Sequence, residues 1–229
     1  MSQQLHNEIK KEFQLERIAL FSDAVFAIGI TLLVIELKIP EIHENVSDKA
    51  LLHSLGHLVP KFVGFLISFM LIALFWNVHH RMFGFVTSYD RKLKVLNLVF
   101  LFFVALMPFS TGFYGEYAGS EELFRYQLKI PMTFYVLNFC CMGFANYFLW
   151  RHIINPKNKL AEPLIDPLTA KLSKMRSLTV PIIFLTMLPI AFLTNVRFAV
   201  FIPMLTPVVL RILRKRITKR YKPPPQPQQ

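Results

Sequence analysis

The order of apolar and polar positions along the chain predicts six membrane-spanning helices. Apolar stretches long enough to cross a bilayer, roughly 18–25 residues each, cover residues 18–39, 59–83, 93–113, 129–152, 178–195 and 196–213. Only a few polar residues divide the last two stretches, namely Thr194, Asn195 and Arg197. Prolines within those two stretches predict kinks, at Pro181, Pro189, Pro203 and Pro207. The pattern therefore predicts an all-α membrane protein.

The composition supports this class. Hydrophobic residues make up 54% of the 229 positions and 23 residues are Phe, which is too apolar for a soluble domain of this length. The neighbouring Cys140 and Cys141 have a poor geometry for pairing with each other, so no disulfide framework is expected. No small-residue cleavage site follows the first apolar run, which argues against a cleaved signal peptide. We therefore expect the first span to be retained.

The net charge of +12 is spread unevenly over the connections between the predicted spans. Basic residues flank the second and fourth connections and the C-terminal tail, among them Arg81, Arg91, Lys92, Lys94, Arg151, Lys157, Lys171, Lys174, Arg176, Arg211, Arg214, Lys215, Arg216, Lys219, Arg220 and Lys222. The first and third connections are acidic, with Glu41, Glu44, Asp48, Glu116, Glu121 and Glu122. By the positive-inside rule, this alternation predicts cytoplasmic termini. The basicity is therefore topological, and no nucleic-acid partner is expected.

The same distribution predicts three segments. Residues 1–16 form a cytoplasmic N-terminal segment, residues 17–215 the six-span unit, and residues 216–229 a basic, proline-rich cytoplasmic tail. The ending "YKPPPQPQQ" is polar and without periodicity, which is typical of disorder. Because the tail is basic and adjoins the membrane, we expect it to attract anionic lipid.

The first predicted helix has two different faces. At about 100° per residue, Ile28, Leu32 and Ile35 fall within about 60° of one another, whereas Ser22 and Asp23 point to the other side. An acid near hydrocarbon is costly unless it is paired, so we expect Ser22 and Asp23 to form a buried clamp. The aliphatic stripe alone also suits ordinary lipid contact or core packing.

Four residues at the start of this helix carry a resemblance. Arg17, Phe21, Ser22 and Asp23 spell R-x-x-x-F-S-D, and the continuation "AVFAIGITLLVIELKIP" is similar to the first helix of the transmembrane protein 175 family of potassium channels. The resemblance to its prokaryotic members implies a homotetramer in a prokaryotic cell membrane, with one six-span unit per chain. It also implies a potassium-selective channel that is not an enzyme, needs no cofactor, and has the first helix of each chain lining a central pore.

The resemblance assigns pore positions as well. It implies that Ile28, Leu32 and Ile35 form a hydrophobic constriction, with Thr31 one place before the middle ring. Two interpretations of Thr31 stay open. Its hydroxyl contacts the permeating ion, or it bonds to the carbonyl of its own helix four residues earlier.

The family pattern further implies that polar groups on neighbouring helices hold the first helix through its Ser-Asp pair. Candidates end the second span in "FWNVHHRMFG", namely Trp76, Asn77, His79, His80 and Arg81. An indole donor or a cationic side chain suits a carboxylate in a low dielectric. The sequence does not choose among them.

The sequence also contains residues that are typical of other functions. "TGFYG", 111–115, has the residue types of a carbonyl-lined potassium filter in the wrong order and without a preceding pore helix, so we expect an external turn there. A metalloenzyme would need its histidine pairs, His53 with His57 and His79 with His80, on the same side, but they lie at opposite ends of one span. The remaining alternative is a proton-coupled or other secondary transporter that uses Asp23.

Overall fold

The computed structural model describes residues 2–38, 47–118, 128–161, 167–199 and 201–221. In those ranges the regular secondary structure is helical, with an isolated bridge between Val86 and Ala161 in the connections, which confirms the predicted all-α class for them. Several predicted features lie outside the described residues, namely Ile39 at the end of the first span, the acidic Glu41, Glu44, Glu121 and Glu122, and tail residues 222–229 with Lys222.

Nine α-helices can be delimited in the described ranges. They are α1 (Ser2–Leu32), α2 (Asp48–Phe83), α3 (Arg91–Ala105), α4 (Met107–Ala118), α5 (Ile130–Ile153), α6 (Pro167–Leu185), α7 (Met187–Leu193), α8 (Val196–Ala199) and α9 (Thr206–Arg220). Short 3-10 segments follow α1, α5 and α8, at Leu33–Glu36, Pro156–Asn158 and Ile202–Leu205.

Five helical stretches of the described chain are long and apolar enough to cross a membrane. They are Ile9–Glu36, Leu58–Phe83, Arg91–Tyr117, Ile130–Ile153 and Leu168–Leu193. The second, third and fourth agree with the predicted spans, whereas the first begins at Ile9, nine positions before the predicted start. The fifth begins at Leu168, ten positions before the predicted start, because the preceding residues, rich in Lys, Leu, Ala and Met, favour continued helix. The predicted span 196–213 is divided among α8, a 3-10 segment and α9, so a sixth crossing stays a prediction.

Two of the long stretches are interrupted shortly before a proline. The break between α3 and α4 at Leu106 lies two residues before Pro108, and the break between α6 and α7 at Thr186 lies three residues before Pro189. A proline has no amide hydrogen to bond to the carbonyl four residues earlier, and its ring crowds that carbonyl. Pro181 lies inside α6, which continues through it.

The stretch "TGFYG" is helical, so the predicted external turn is wrong. Residues 111–115 lie in α4. The Thr111 hydroxyl is within hydrogen-bond distance of the Met107 carbonyl, at 2.8 Å, and of the Ser68 hydroxyl, at 2.9 Å. Because α4 packs against α2 and α5, tertiary contacts outweigh the low helix propensity of its two glycines.

Helix α5 lies at the centre of the bundle. It packs against α3, α4 and α6, while α1 packs on α2 and α3. In the hydrophobic centre of α5, 61% of residues are buried, against 22% in the first stretch and 17% in the second. Helices α1 and α2 therefore leave most of their apolar surface for lipid or for another chain.

One end of the bundle gathers the two basic connections. The amides of Thr87 and Ser88 donate to the Leu160 carbonyl at 2.9 and 3.2 Å. Leu15 and Ile18 of α1 pack against the apolar cluster beneath these connections. The R-x-x-x-F-S-D motif, the end of α2 and the start of α3 therefore share one end of the molecule, as the predicted topology requires.

Candidate functional site

The aliphatic stripe of the first span is exposed in the single chain. Ile28, Leu32 and Ile35 are 57%, 41% and 67% exposed, and Thr31 between them is also exposed. The stripe is therefore free to contact lipid or a second copy of the chain.

Helix geometry aligns the outer two positions of this stripe. Leu32 ends α1, and Ile35 lies in the 3-10 segment Leu33–Glu36. Side chains at i and i+3 eclipse in an ideal 3-10 helix. That geometry brings Ile35 above Leu32, whereas a continuous α-helix would leave the two about 60° apart. The rise is about 6 Å from Ile28 to Leu32 and about 6 Å from Leu32 to Ile35. The three positions therefore form evenly spaced levels.

The Thr31 hydroxyl is satisfied within its own helix. Its oxygen lies 3.1 Å from the Ala27 carbonyl and 2.9 Å from the Ile28 carbonyl. A hydroxyl has one hydrogen to donate and two lone pairs to offer, so donation to the helix leaves the lone pairs on the exposed face. The two interpretations of Thr31 are therefore compatible in this geometry.

The opposite face of α1 is packed. Phe26 and Leu33 are buried, at 1% and 0% exposure. A Cβ placed on Gly29 would lie 3.6 Å from the Val104 carbonyl oxygen and 3.7 Å from its Cγ1, which brings α1 close to α3. Beyond the helix, the Glu36 side chain lies directly against Gly112 of α4, where a Cβ would overlap it. The rotation of the stripe is therefore set by contacts behind it.

Trp76 is the hydrogen-bond partner of Asp23. Its indole Nε1 donates to Asp23 Oδ1 at 2.9 Å, and its ring stacks on His80 with centroids 5.5 Å apart. This bond joins α1 to α2 near the end where the basic connections meet. A neutral donor, and not a cation, thus satisfies the carboxylate.

Ser22 belongs to a separate, buried chain of hydrogen bonds. Its hydroxyl donates to the Ile18 carbonyl at 2.8 Å and accepts from Asn97 Nδ2 at 2.9 Å. Asn97 Oδ1 in turn lies 2.8 Å from His79 Nε2. Ser22, Asn97 and His79 are 0%, 2% and 1% exposed. These hydrogen bonds therefore join α1, α3 and α2 in a buried environment where unpaired polar groups are costly.

The order of donors and acceptors in these hydrogen bonds fixes the tautomer of His79. Ser22 gives its only hydrogen to the backbone and must accept from the Asn97 amide, so the Asn97 carbonyl is left to accept from His79 Nε2–H. The His79 ring stacks on Phe83 and Phe100, with centroids 4.4 and 5.5 Å away. Packing and hydrogen bonding hold the ring in one orientation.

The other expected support residues form no hydrogen bond with Asp23 among the described residues. Arg17 and Phe21 are exposed and line a shallow cavity of about 300 Å³ with Asn97. Asn77 and Arg81 are also exposed. None of these side chains is hydrogen-bonded to Asp23 in the described part of the chain, and their supporting role stays a prediction.

Sequence reasoning missed Asn97. It is an amide within the apolar run "LKVLNLVFLFF" of the third span, and an isolated polar residue in such a run was the available signal. No group of three or more His, Cys, Asp or Glu side chains suited to a metal ion occurs among the residues described.

Comparisons with known proteins find a family of potassium channels and relatives named as such. The profile of the family described as "Endosomal/lysosomal potassium channel TMEM175" matches residues 17–108. The chain is 32% identical over 160 residues to a protein of Streptomyces collinus named "Potassium channel B446_29190", covering 70% of this chain and 74% of that one. It is 35% identical over 155 residues to "Potassium channel Cha6605_3372" of Chamaesiphon minutus, covering 68% and 73%.

A solved structure agrees in fold. The crystal structure of a "lysosomal potassium-selective channel TMEM175 homolog" from Chamaesiphon minutus superposes with a TM-score of 0.70 at 28% identity, covering 88% of this chain and 98% of that chain. The matching family and relatives are ion channels, which confirms that the chain is not an enzyme. The sequence match, the shared fold and the R-x-x-x-F-S-D helix together show that the chain belongs to the TMEM175 family.

Proposed function

We propose that this protein is a potassium-selective channel of a prokaryotic cell membrane, built as a homotetramer around four copies of α1. Family membership and relatives named as potassium channels support this function. The observation that carries the site assignment is the aliphatic stripe Ile28, Leu32 and Ile35, exposed on a helix whose other face is buried and hydrogen-bonded. Closed rotational symmetry makes a ring the natural assembly for such a surface.

Lipid contact alone does not account for how α1 is held. An apolar face that meets only acyl chains tolerates rotation of the helix, because lipid presents no fixed partner. Asp23 and Ser22 instead hold α1 on α2 and α3 at its polar end, and Gly29 packs it closely on α3. A shift by one residue, about 100°, would remove Ile28 and Leu32 from the axis. Fixed rotation is what a constriction requires.

The proposed mechanism is steric and dehydrative. Three levels of branched aliphatic side chains, about 6 Å apart, narrow the path and exclude loosely held water, and such a constriction also closes by dewetting. Potassium is larger than sodium and holds its hydration shell less tightly, so the passage disfavours sodium more. Few polar ligands replace the lost water, so selectivity is expected to be modest beside that of a carbonyl-lined filter. Thr31 lone pairs add one ring of oxygens.

The orientation follows the charge of the connections. The two basic connections meet at the end that holds the R-x-x-x-F-S-D motif, and the positive-inside rule places that end in the cytoplasm. With residues 196–213 as the sixth crossing, both termini are cytoplasmic. The helix α9 continues to Arg220, so residues 216–220, predicted as tail, extend that crossing as a basic helix.

Flux through reconstituted protein tests the assignment. Leu32→Ala widens the proposed middle level, so potassium conductance should rise and the potassium-to-sodium permeability ratio should fall, with the tetramer intact by light scattering. Ile182→Ala is the matched control, because Ile182 is 50% exposed on α6 and lies outside the stripe. Equal potassium and sodium permeation in wild type, or identical ratios in Leu32→Ala and wild type, would overturn the proposal.

A further inference from the structure

A cavity of about 540 Å³ lies between α2, α5, α6 and α9, away from the aliphatic stripe of α1. Its walls are apolar, with Leu74 and Val78 from α2, Val180 from α6 and Leu210 from α9. Its volume falls within the range of small-molecule sites. Leu74 is 49% exposed, so the apolar wall continues onto the outer surface of the bundle.

The polar part of this cavity is cationic. Arg176 of α6 and Arg211 and Arg214 of α9 line it. Neither α6 nor α9 contains Asp or Glu, and the carboxylates of Glu116 and Asp90 contact Lys61 and His152 elsewhere in the molecule. The charges that act on Arg176, those of Arg214 and Arg81, repel it. The cluster therefore has an excess of positive charge.

A hydroxyl donor completes the polar end. Asn146 Nδ2 donates to Ser177 Oγ at 2.9 Å, and both residues line the cavity and are buried, at 1% and 5% exposure. Ser177 Oγ already accepts from Asn146 and donates no hydrogen bond among the described residues, so its hydrogen suits an anionic acceptor. Guanidinium forks match phosphate oxygens in geometry and charge.

We propose that this cavity binds the phosphate group of an anionic phospholipid, with an acyl chain along the wall of Leu74, Val78 and Val180. A phospholipid matches both halves of the cavity, whereas a soluble anion matches only the arginines. The charge of Arg81, in the last turn of α2, acts on Arg176, so the arginines lie towards the end of the bundle that carries the basic connections. The site is distinct from general attraction by the basic helix end, and it does not depend on the proposed potassium conduction.

Competitive lipid binding tests the site. The detergent-purified full-length protein is incubated with an equimolar mixture of dioleoylphosphatidylglycerol and dioleoylphosphatidylcholine, and bound lipid is quantified by mass spectrometry. Wild type should retain phosphatidylglycerol preferentially. The double variant Arg176→Gln/Arg214→Gln should lose that preference by on the order of tenfold, because two charge-assisted contacts are removed.

A matched variant separates the cavity from bulk charge. Lys215→Gln/Arg216→Gln also removes two positive charges, both from α9, at positions that do not line the cavity, and it should keep the preference. Arg211→Gln alone, at an exposed position, gives a smaller loss should the double variant fold poorly. Equal losses in the two double variants, no preference in wild type, or displacement of the lipid by the same concentration of inorganic phosphate would each overturn the proposal.

Discussion

The indole of Trp76 donates a 2.9 Å hydrogen bond to the carboxylate of Asp23, which joins α2 to the helix that carries the aliphatic stripe. Replacement of Trp76 by Phe keeps most of the ring but removes the donor. A partly buried carboxylate without its donor costs about 1–3 kcal/mol, so Tm should fall by roughly 2–4 °C per kcal/mol. Thermal unfolding with size-exclusion chromatography measures this loss. A Trp76→Phe protein as stable as wild type would contradict the clamp.

Asp23→Asn separates a clamp from a proton carrier. An asparagine retains the Oδ1 acceptor for Trp76, so we expect an assembled protein that conducts potassium, whereas Asp23→Ala should assemble poorly. Chromatography of both variants, followed by flux at two pH values, makes the comparison. A well-assembled Asp23→Asn protein without transport would favour the secondary transporter over the channel.

The stripe predicts different effects at two adjacent residues. Ile35→Ala should raise conductance or weaken discrimination against sodium, because it widens the outer level. Val34→Ala should leave both unchanged, since Val34 is similarly exposed, at 55% against 67%, but points about 120° away in a 3-10 turn. Single-channel recording in planar bilayers compares them. The assignment of the outer level fails should the two variants behave alike.

Two substitutions of Thr31 should affect potassium selectivity to different degrees. Thr31→Ser keeps the hydroxyl and should preserve the potassium-to-sodium permeability ratio, while the isosteric Thr31→Val removes the lone pairs and should lower it. Reversal potentials under bi-ionic conditions give the ratio. An unchanged ratio in Thr31→Val would show that the hydroxyl serves only the Ala27 and Ile28 carbonyls.

The buried chain of hydrogen bonds predicts non-additive stability. Asn97→Ala removes the amide that donates to Ser22, which keeps its bond to the Ile18 carbonyl, and the carbonyl that accepts from His79. A buried polar group left unpaired costs about 1–3 kcal/mol. Ser22→Ala in the same background should cost less than Ser22→Ala alone, because its partner is already absent. A double-mutant cycle on Tm measures the coupling, and strictly additive shifts would contradict a connected chain.

Acid stability should depend on Asp90. Burial works to raise the pKa of this carboxyl, but hydrogen bonds from the Leu93 amide at 2.6 Å and the His152 ring at 2.9 Å, with the charge of Lys92 nearby, hold it below its ordinary value of 3.8. A depressed pKa contributes stability above about pH 4 that is lost as pH falls through the folded-state value. Asp90→Asn should therefore show a flatter Tm profile below pH 4. Parallel profiles for variant and wild type would contradict this contribution.

The helical class and the limits of the second, third and fourth spans could be predicted from the sequence, because apolar length is a local property. Ile28, Leu32 and Ile35 are all exposed in the structure, but their role in a constriction stays a prediction. The partner of Asp23 could not be chosen, because Trp76, His80 and Arg81 follow one another closely and only the rotation of α2 selects the indole. Asn97 was missed for the same reason, as its contacts come from two other helices.

Thr111 and Ile35 show where local rules were outweighed. The two glycines of "TGFYG" suggested a turn, but packing on α2 and α5 keeps that stretch helical. A spacing of 100° per residue assumes one pitch throughout α1, whereas the helix tightens after Leu32, where Leu33 is buried and the Glu36 side chain lies against Gly112. Neither constraint is visible before the helices are assembled.

The direction in which Ile35 points around the helix axis depends on the pitch of the turn that follows Leu32. Conversion of Leu33–Glu36 from 3-10 to α geometry would rotate Ile35 by about 60° about the helix axis and move it about 1.5 Å along the axis towards Leu32. Each of three residues turns about 20° less and rises about 0.5 Å less in an α-helix. Ile28 and Leu32, which precede the change of pitch, would stay where they are. A change of pitch in these four residues would therefore move Ile35, the outermost of the three aliphatic positions, without moving the rest of the helix.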